Sequence, residues 1–267
     1  MKRAGVFLLT FCIVFSAACT AVYGQQQANS RFSAVSGTFN RFMDMLSDSA
    51  KIYFGIDNDV APVSVLMPNI PLINKDNPID RYFRPENMID IAKYVRTTRY
   101  SLLLEANAAK AYISMVSSMI ADGITDLAAV SGFRDFEHQS RIHNAEINRQ
   151  SNHFPREEAR RRAAMIVAAP GTSEHQSGLA VDVSSAEVGF SLTTRFENTR
   201  SFRWISENAH NYGFIIRYPR DSTDITGVIF EPWHLRYVGI VHATRIYINN
   251  LTLEEYFAIY SRGGWNH

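Results

Sequence analysis

Two apolar, strand-like segments in the C-terminal half of the chain each carry an imidazole and a carboxylate. SEHQSGLAVDV, from Ser173, holds His175 and Asp182, and EPWHLRYV holds Glu231 and His234. Ionisable groups are costly to bury unless they are paired or bind a metal. Two imidazoles and one carboxylate make a three-ligand zinc site whose fourth position stays open to water. A second carboxylate beside such a site can serve as general base, and Glu231 is well placed for that part. An odd separation puts His175 and Asp182 on opposite faces of a regular strand. The chain must therefore bend between them, and Gly178 is the residue that allows it. Pro232 likewise prevents the stretch from Glu231 to His234 from being an uninterrupted interior ladder strand.

The rest of the composition narrows the chemistry. Both cysteines, Cys12 and Cys19, fall in the N-terminal leader. The folded part is therefore neither a thiol enzyme nor a disulfide scaffold, and any metal must be held by His and carboxylates. The 27 Lys and Arg nearly cancel the 26 Asp and Glu, so charge points neither to nucleic acid nor to a membrane surface as partner. The basic run Arg156–Arg162 contains Glu157 and Glu158 and reads as a solvated helix face.

Lys2 and Arg3 precede an apolar run from Val6 to Phe15 and then the small residues Ser16, Ala17 and Ala18. That is the pattern of a secretory signal, residues 1–24. Cleavage after Gly24 fits, and so does lipidation at Cys19, although Ser16 is a poor match to a lipidation motif. No stretch is long and apolar enough for a transmembrane helix.

Residues 25–80 show no sustained period and read as a lead-in or arm, with a helix over Phe39–Tyr53 and a short strand near Val63. Residues 81–267 form the main domain. In it, MIDIAKYV and LLLEANAAKAYISMVSSMIADG have helical spacing, the second stopped at Gly123. LAAVSGF suits a buried strand, DFEHQSRIHNAEINRQ and PREEARRRAAMIVA two helices, and TRSFRWISENAHNYGF a helix stopped at Gly213. FIIRYP and GVIFEPWHLRYV read as strands and LTLEEYFAIY as a closing helix. Helices come first and strands cluster later, which predicts an α+β fold rather than alternating βαβ units.

SGFRDFEHQ from Ser131, SEHQSGLAVDV from Ser173 and EPWHLRYVG from Glu231 resemble, in order, the three signature blocks of the VanY-like D-alanyl-D-alanine metallocarboxypeptidases. The similarity extends through roughly Leu72 to Tyr260. It implies a fold shared with zinc D,D-dipeptidases and the hedgehog signalling domain, with helices packed on a small, mainly antiparallel sheet. It implies one zinc ion per chain on His175, Asp182 and His234, with Glu231 as general base and proton donor. It also implies that Arg134 grips the substrate's terminal carboxylate, with Gln139 and Ser173 hydrogen-bonding around it. The substrates implied are peptidoglycan stem peptides or muropeptides in the periplasm or cell envelope. The motifs are common to D,D cleavage, which is favoured, and L,D cleavage. A noncatalytic wall-binding module is the competing reading, discriminated by whether Glu231 and Arg134 face the ligand cluster across an open cleft. Trp233 serves equally as pocket wall or core. His138, His143, His153, His210 and His242 fall outside the motif positions.

Overall fold

The computed structural model describes residues 70–261. The expected signal segment, the helix over Phe39–Tyr53 and the strand near Val63 lie outside the described residues.

A two-stranded antiparallel ribbon, β1 (Met88–Asp90) with β2 (Leu103–Glu105), leads into helix α1 (Ala106–Ala121). Strand β3 (Leu127–Ser131) is followed by helices α2 (Phe136–Ser151) and α3 (Arg156–Ile166), then β4 (Ala180–Ser185), α4 (Arg200–Asn208) and β5 (Phe214–Tyr218). A single turn α5 (Thr223–Thr226), β6 (Glu231–Tyr237), α6 (Ile240–Ile248) and α7 (Leu253–Ser261) complete the order. The main sheet runs β3-β4-β6-β5, every neighbouring pair antiparallel. The expected α+β class and antiparallel sheet are both present.

MIDIAKYV is not the helix its spacing predicts. Its first half is β1 and its second a 3-10 turn, Ile91–Lys93. The Asp90 carboxylate accepts from the backbone N–H of Leu102 and of Ala92, which pins the ribbon and caps the turn together. A short apolar run with an Asp at its centre is ambiguous between the two periods, and strand pairing decided it. Only α1 therefore precedes the first motif among the described helices.

Helix α1 begins where Glu105 accepts from the backbone N–H groups of Asn107 and Ala108, a capping interaction for donors that the first turn leaves unpaired. It ends at Asp122 and Gly123, the glycine at φ +80°. Its buried face, Ala108, Ala109, Tyr112, Met115, Val116 and Met119, repeats at helical spacing and packs on the sheet's inner face with Val181, Val183, Phe214 and Leu235. Truncating the fully buried Met115 to alanine would cost about 2–5 kcal/mol.

Residues 70–80, which the sequence places in the lead-in, are tied into this domain. The Ile79 N–H donates to the Gly171 carbonyl, and the Gln176 side-chain amide donates to the carbonyls of Asp80, Arg81 and Phe83. The Arg156–Arg162 run is the expected solvated face: Arg161 and Arg162 pair with Glu158 one turn away, while Ala159 and Ala163 face inward.

Candidate active site

Neighbouring strands supply the three ligand candidates. Asp182 on β4 lies opposite His234 on β6 in the antiparallel register. His175 reaches them from a 3-10 turn, Glu174–Ser177, that breaks at Gly178 with φ 71° before the strand starts. A Cβ on Gly178 would sit 2.9 Å from the backbone nitrogen of Glu105, so both the backbone angle and the crowding require glycine. This is the bend that the odd spacing of His175 and Asp182 demands. On the other strand the β5–β6 register shifts between Ile216 and Tyr218, opposite the stretch that contains Pro232. The missing proline N–H thus falls where the ladder is already irregular.

His175 Nε2 lies 3.2 Å from Asp182 Oδ2, and His234 Nδ1 lies 3.0 Å from Asp182 Oδ1. Each of the three residues offers a ligand atom, all within 4.8 Å of one another, and all three are buried. Among the described residues this is the one such group of His, Asp and Glu side chains. His175 Nδ1 is hydrogen-bonded to the Gly132 carbonyl at 2.6 Å. That fixes the tautomer and leaves Nε2, a buried nitrogen with no hydrogen-bond partner, facing Asp182. Gly132 can bring its carbonyl there because it has no side chain: a Cβ would meet the Leu103 carbonyl oxygen at 2.5 Å.

Burial and neighbouring charges act differently on each of the three side chains. Burial depresses the His175 imidazole to about 4, and Arg134 adds to the effect. Burial acts on His234 in the same sense but is outweighed by Asp182 and Glu174, and its pKa rises to about 9. Asp182 is held well below the carboxylate range by the two imidazoles, against its own desolvation. Carboxylates thus face His234 Nδ1 from two sides, Asp182 and Glu231. A donor set of two imidazoles and one carboxylate suits zinc.

Glu231, at the start of β6, is buried, with a carboxylate oxygen 3.8 Å from His234 Nδ1. Desolvation drives its pKa up to about 8, although His234 pulls the other way. Arg134 follows β3, and burial lowers the pKa of its guanidinium. Its Nε has no hydrogen-bond partner among the described residues. Asp135 caps α2 by accepting from the His138 N–H, which sets Arg134 and Gln139 at the helix entrance.

Arg134, Gln139, Ser173, Glu231 and Trp233 all line one cleft of about 230 Å³ with His175, Asp182 and His234. It is smaller than the roughly 300–1,000 Å³ typical of small-molecule sites. Trp233 is both wall and packing, since it also touches the main core. Gln139 donates its amide to the Ala168 carbonyl at 2.7 Å, leaving Oε1 unpartnered. What it offers the cleft is an acceptor, suited to an N–H rather than to a carboxylate. Ser173 is buried and its hydroxyl makes no capping bond to the turn that follows it.

No other histidine belongs to the ligand group among the described residues. His143 is bonded to the Val167 carbonyl, His210 is stacked on Tyr247 and His242 on α6 is bonded to the Tyr256 hydroxyl. Two neighbours of the cluster are absent from the sequence reading. Tyr218 packs its ring 4.9 Å from that of His234 and lines the cleft. Glu174 is fully buried beneath His234. The signal for Glu174 was present: an acid beside a candidate ligand in an apolar block, together with arginines in FIIRYP and WHLRYV.

Residues 101–240 match the family model VanY: D-alanyl-D-alanine carboxypeptidase. The chain is 37% identical over 231 residues to the Bacillus subtilis (strain 168) protein named "Putative carboxypeptidase YodJ"; the match covers 86% of this chain and 77% of that one. Among solved structures it is similar to the LdcB LD-carboxypeptidase, with TM-score 0.63 and 39% identity, covering 70% of this chain and 84% of the other. It is also similar to the vancomycin resistance D,D-pentapeptidase VanY, in complex with Zn(II), with TM-score 0.58 and 35% identity, covering 70% and 97%. With the signature blocks, the ligand cluster and the cleft in place, this chain belongs to the VanY family of D-alanyl-D-alanine carboxypeptidases and is a zinc metallopeptidase.

Proposed function

We propose that the protein removes the terminal D-Ala of peptidoglycan stem peptides, with D,D cleavage of pentapeptide ends as its main activity. The observation that carries this is the shared cleft: a half-buried guanidinium at Arg134, whose buried Nε has no hydrogen-bond partner among the described residues, and a buried carboxylate at Glu231 line the same space as His175, Asp182 and His234. A noncatalytic wall-binding module needs neither.

Arg134 clamps the substrate's terminal carboxylate through charge-assisted hydrogen bonds, which fixes the carbonyl that meets the ligand cluster. Ser173 supplies a hydroxyl beside it, and Gln139 Oε1 accepts from a substrate N–H. A zinc ion on His175, Asp182 and His234 supplies Lewis acidity, polarising the carbonyl and making water nucleophilic near neutral pH. Glu231 withdraws a proton from the attacking water and returns it to the leaving amine nitrogen. Its raised pKa suits both transfers, and a cation nearby draws it back toward the ionised state needed for the first.

An L,D reading, removal of D-Ala from tetrapeptide stems, is favoured by the likeness to LdcB and uses the same residues. Incubating the zinc-loaded protein with muramyl pentapeptide and tetrapeptide, and following released D-Ala by mass spectrometry with a chelator control, tests both. Chelator-sensitive release from the pentapeptide alone supports the D,D reading and release from the tetrapeptide the L,D reading. No release from either, with zinc bound, sinks the enzyme. The leader pattern of residues 1–24 supports export to the periplasm or cell envelope, with Cys19 as an alternative lipid attachment point. Cell fractionation with wild-type and C19A chains checks both.

A further inference from the structure

Beneath His234, on the side away from the cleft, lies a buried charge network that the reaction just described does not use. Arg217 on β5 and Arg236 on β6 are the two largest fully buried side chains among the described residues. Both bind Glu174: Arg217 Nε donates to Oε1 at 2.7 Å and an Arg236 terminal nitrogen donates to the same oxygen at 2.6 Å. Arg217 then grips Glu254 of α7 through two hydrogen bonds, at 2.8 and 2.6 Å. Arg236 also donates to the Pro71 carbonyl at 2.7 Å. Two guanidinium groups face two carboxylates, so the network is neutral as a whole.

Fold stability alone is a weak reason for it. Replacing a buried ion pair by apolar side chains is often neutral or stabilising. The arrangement has one feature that an apolar core would lack. With Oε1 held by both arginines, the other oxygen of Glu174 is left 3.4 Å from His234 Nε2. His234 Nδ1 is the nitrogen that faces Asp182 and Glu231. To offer the Nδ1 lone pair to a metal, neutral His234 must carry its proton on Nε2, and a buried N–H needs an acceptor. His175 solves the same problem with the opposite nitrogen, giving its Nδ1 proton to the Gly132 carbonyl. Tyr218 packs against the His234 ring and lies under the Arg217 guanidinium.

We propose that Glu174 is the positioning residue of His234: held by Arg217 and Arg236, it accepts the Nε2 proton, and so fixes the tautomer and ring orientation that present Nδ1 to the zinc ion. Glu174 touches no substrate and acts only through His234. The inference rests on the zinc reading of the site. Outer hydrogen-bond partners of this kind change metal affinity by about 10–100-fold.

The test is zinc affinity by chelator competition on the full chain, with folding followed by circular dichroism. Glu174→Gln is expected to weaken zinc binding by about 10–100-fold. Glu254→Gln, which loosens the far end of the network without touching His234, is expected to lower Tm and leave zinc affinity unchanged. A folded E174Q chain that binds zinc as tightly as wild type overturns the proposal. So does an E254Q chain that loses as much affinity, because the effect would then be general loosening. Imidazole nitrogen NMR of the zinc-loaded wild type gives an answer even if E174Q does not fold. The His234 proton is expected on Nε2, and a proton on Nδ1 overturns the assignment. Wild-type protein that binds no zinc would instead overturn the zinc reading itself, and this inference with it.

Discussion

The backbone N–H of Arg134 donates to the carbonyl of His175 at 3.2 Å. The residue proposed to anchor the substrate and a residue proposed to anchor the metal are thus joined by one hydrogen bond, although 41 positions separate them in sequence (175 − 134). That bond ties the backbone of the segment after β3 directly to the turn before β4.

Replacing Arg134 by Met is expected to leave zinc content unchanged and to lower kcat/KM by roughly 30- to 5,000-fold, since losing one partner of a desolvated charged contact costs about 2–5 kcal/mol. Steady-state kinetics with metal analysis checks this. Peptides amidated at the C-terminus should lose a similar factor against the wild type and little further against R134M. If amidated and free peptides react equally well with the wild type, Arg134 does not bind the carboxylate.

Glu231→Gln preserves the size of the side chain and removes its basicity. It is expected to bind zinc at least as tightly and to lower kcat by about 10²–10⁴, the usual contribution of a general acid or base. Retained turnover in a zinc-loaded E231Q chain would exclude Glu231 as the base.

Zinc itself should stabilise the fold, because the ligand cluster joins two neighbouring strands to the turn before β4. At a free concentration 100 times Kd the gain is about 2.7 kcal/mol, or roughly 5–10 °C in Tm for a domain of this size. Differential scanning calorimetry with and without chelator reads it directly. The shift should disappear in His234→Ala.

His242 offers a pH test away from the metal site. It is buried on α6 against the Tyr256 hydroxyl, and desolvation lowers its pKa from 6.5 to about 4. A group whose pKa is depressed on folding takes up protons preferentially in the unfolded chain. Its contribution is therefore intact above pH 6.5 and is lost as pH falls toward 4, by at most about 3 kcal/mol. His242→Gln should flatten the decline of stability between pH 6.5 and 4 relative to wild type, as followed by urea unfolding. An unchanged slope would mean that His242 is already solvated.

The cluster of His175, Asp182 and His234 was legible in sequence because titratable groups in apolar strand blocks demand a reason, and the signature blocks supplied one. The bend at Gly178 and the irregular ladder at Pro232 followed from spacing and from the missing proline N–H. MIDIAKYV was misread because its apolar spacing fits a helix, while its fate was set by pairing with Leu103–Glu105, a contact no local window contains. The role of Glu174 is hidden for a related reason: its partners lie 43, 62 and 60 residues away, on Arg217, Arg236 and His234. Helix α6 is not legible either, since VHATRIYI mixes β-branched and aromatic residues whose intrinsic preference leans toward strand.

The charge network beneath His234 decides where this protein can be cut. Arg236 depends on the Pro71 carbonyl, Arg217 depends on Glu254, and Asn74 reaches across to Glu254 at 3.1 Å. A fragment trimmed to the family-matched residues 101–240 would keep both arginines and every zinc ligand candidate, yet lose those outer partners. Leaving a buried charge without its counterpart costs about 3–5 kcal/mol, a large share of the whole stability of a typical domain. A unit that keeps the network whole therefore begins before Pro71 and ends after Glu254, and fragments cut inside those limits should have a lower Tm.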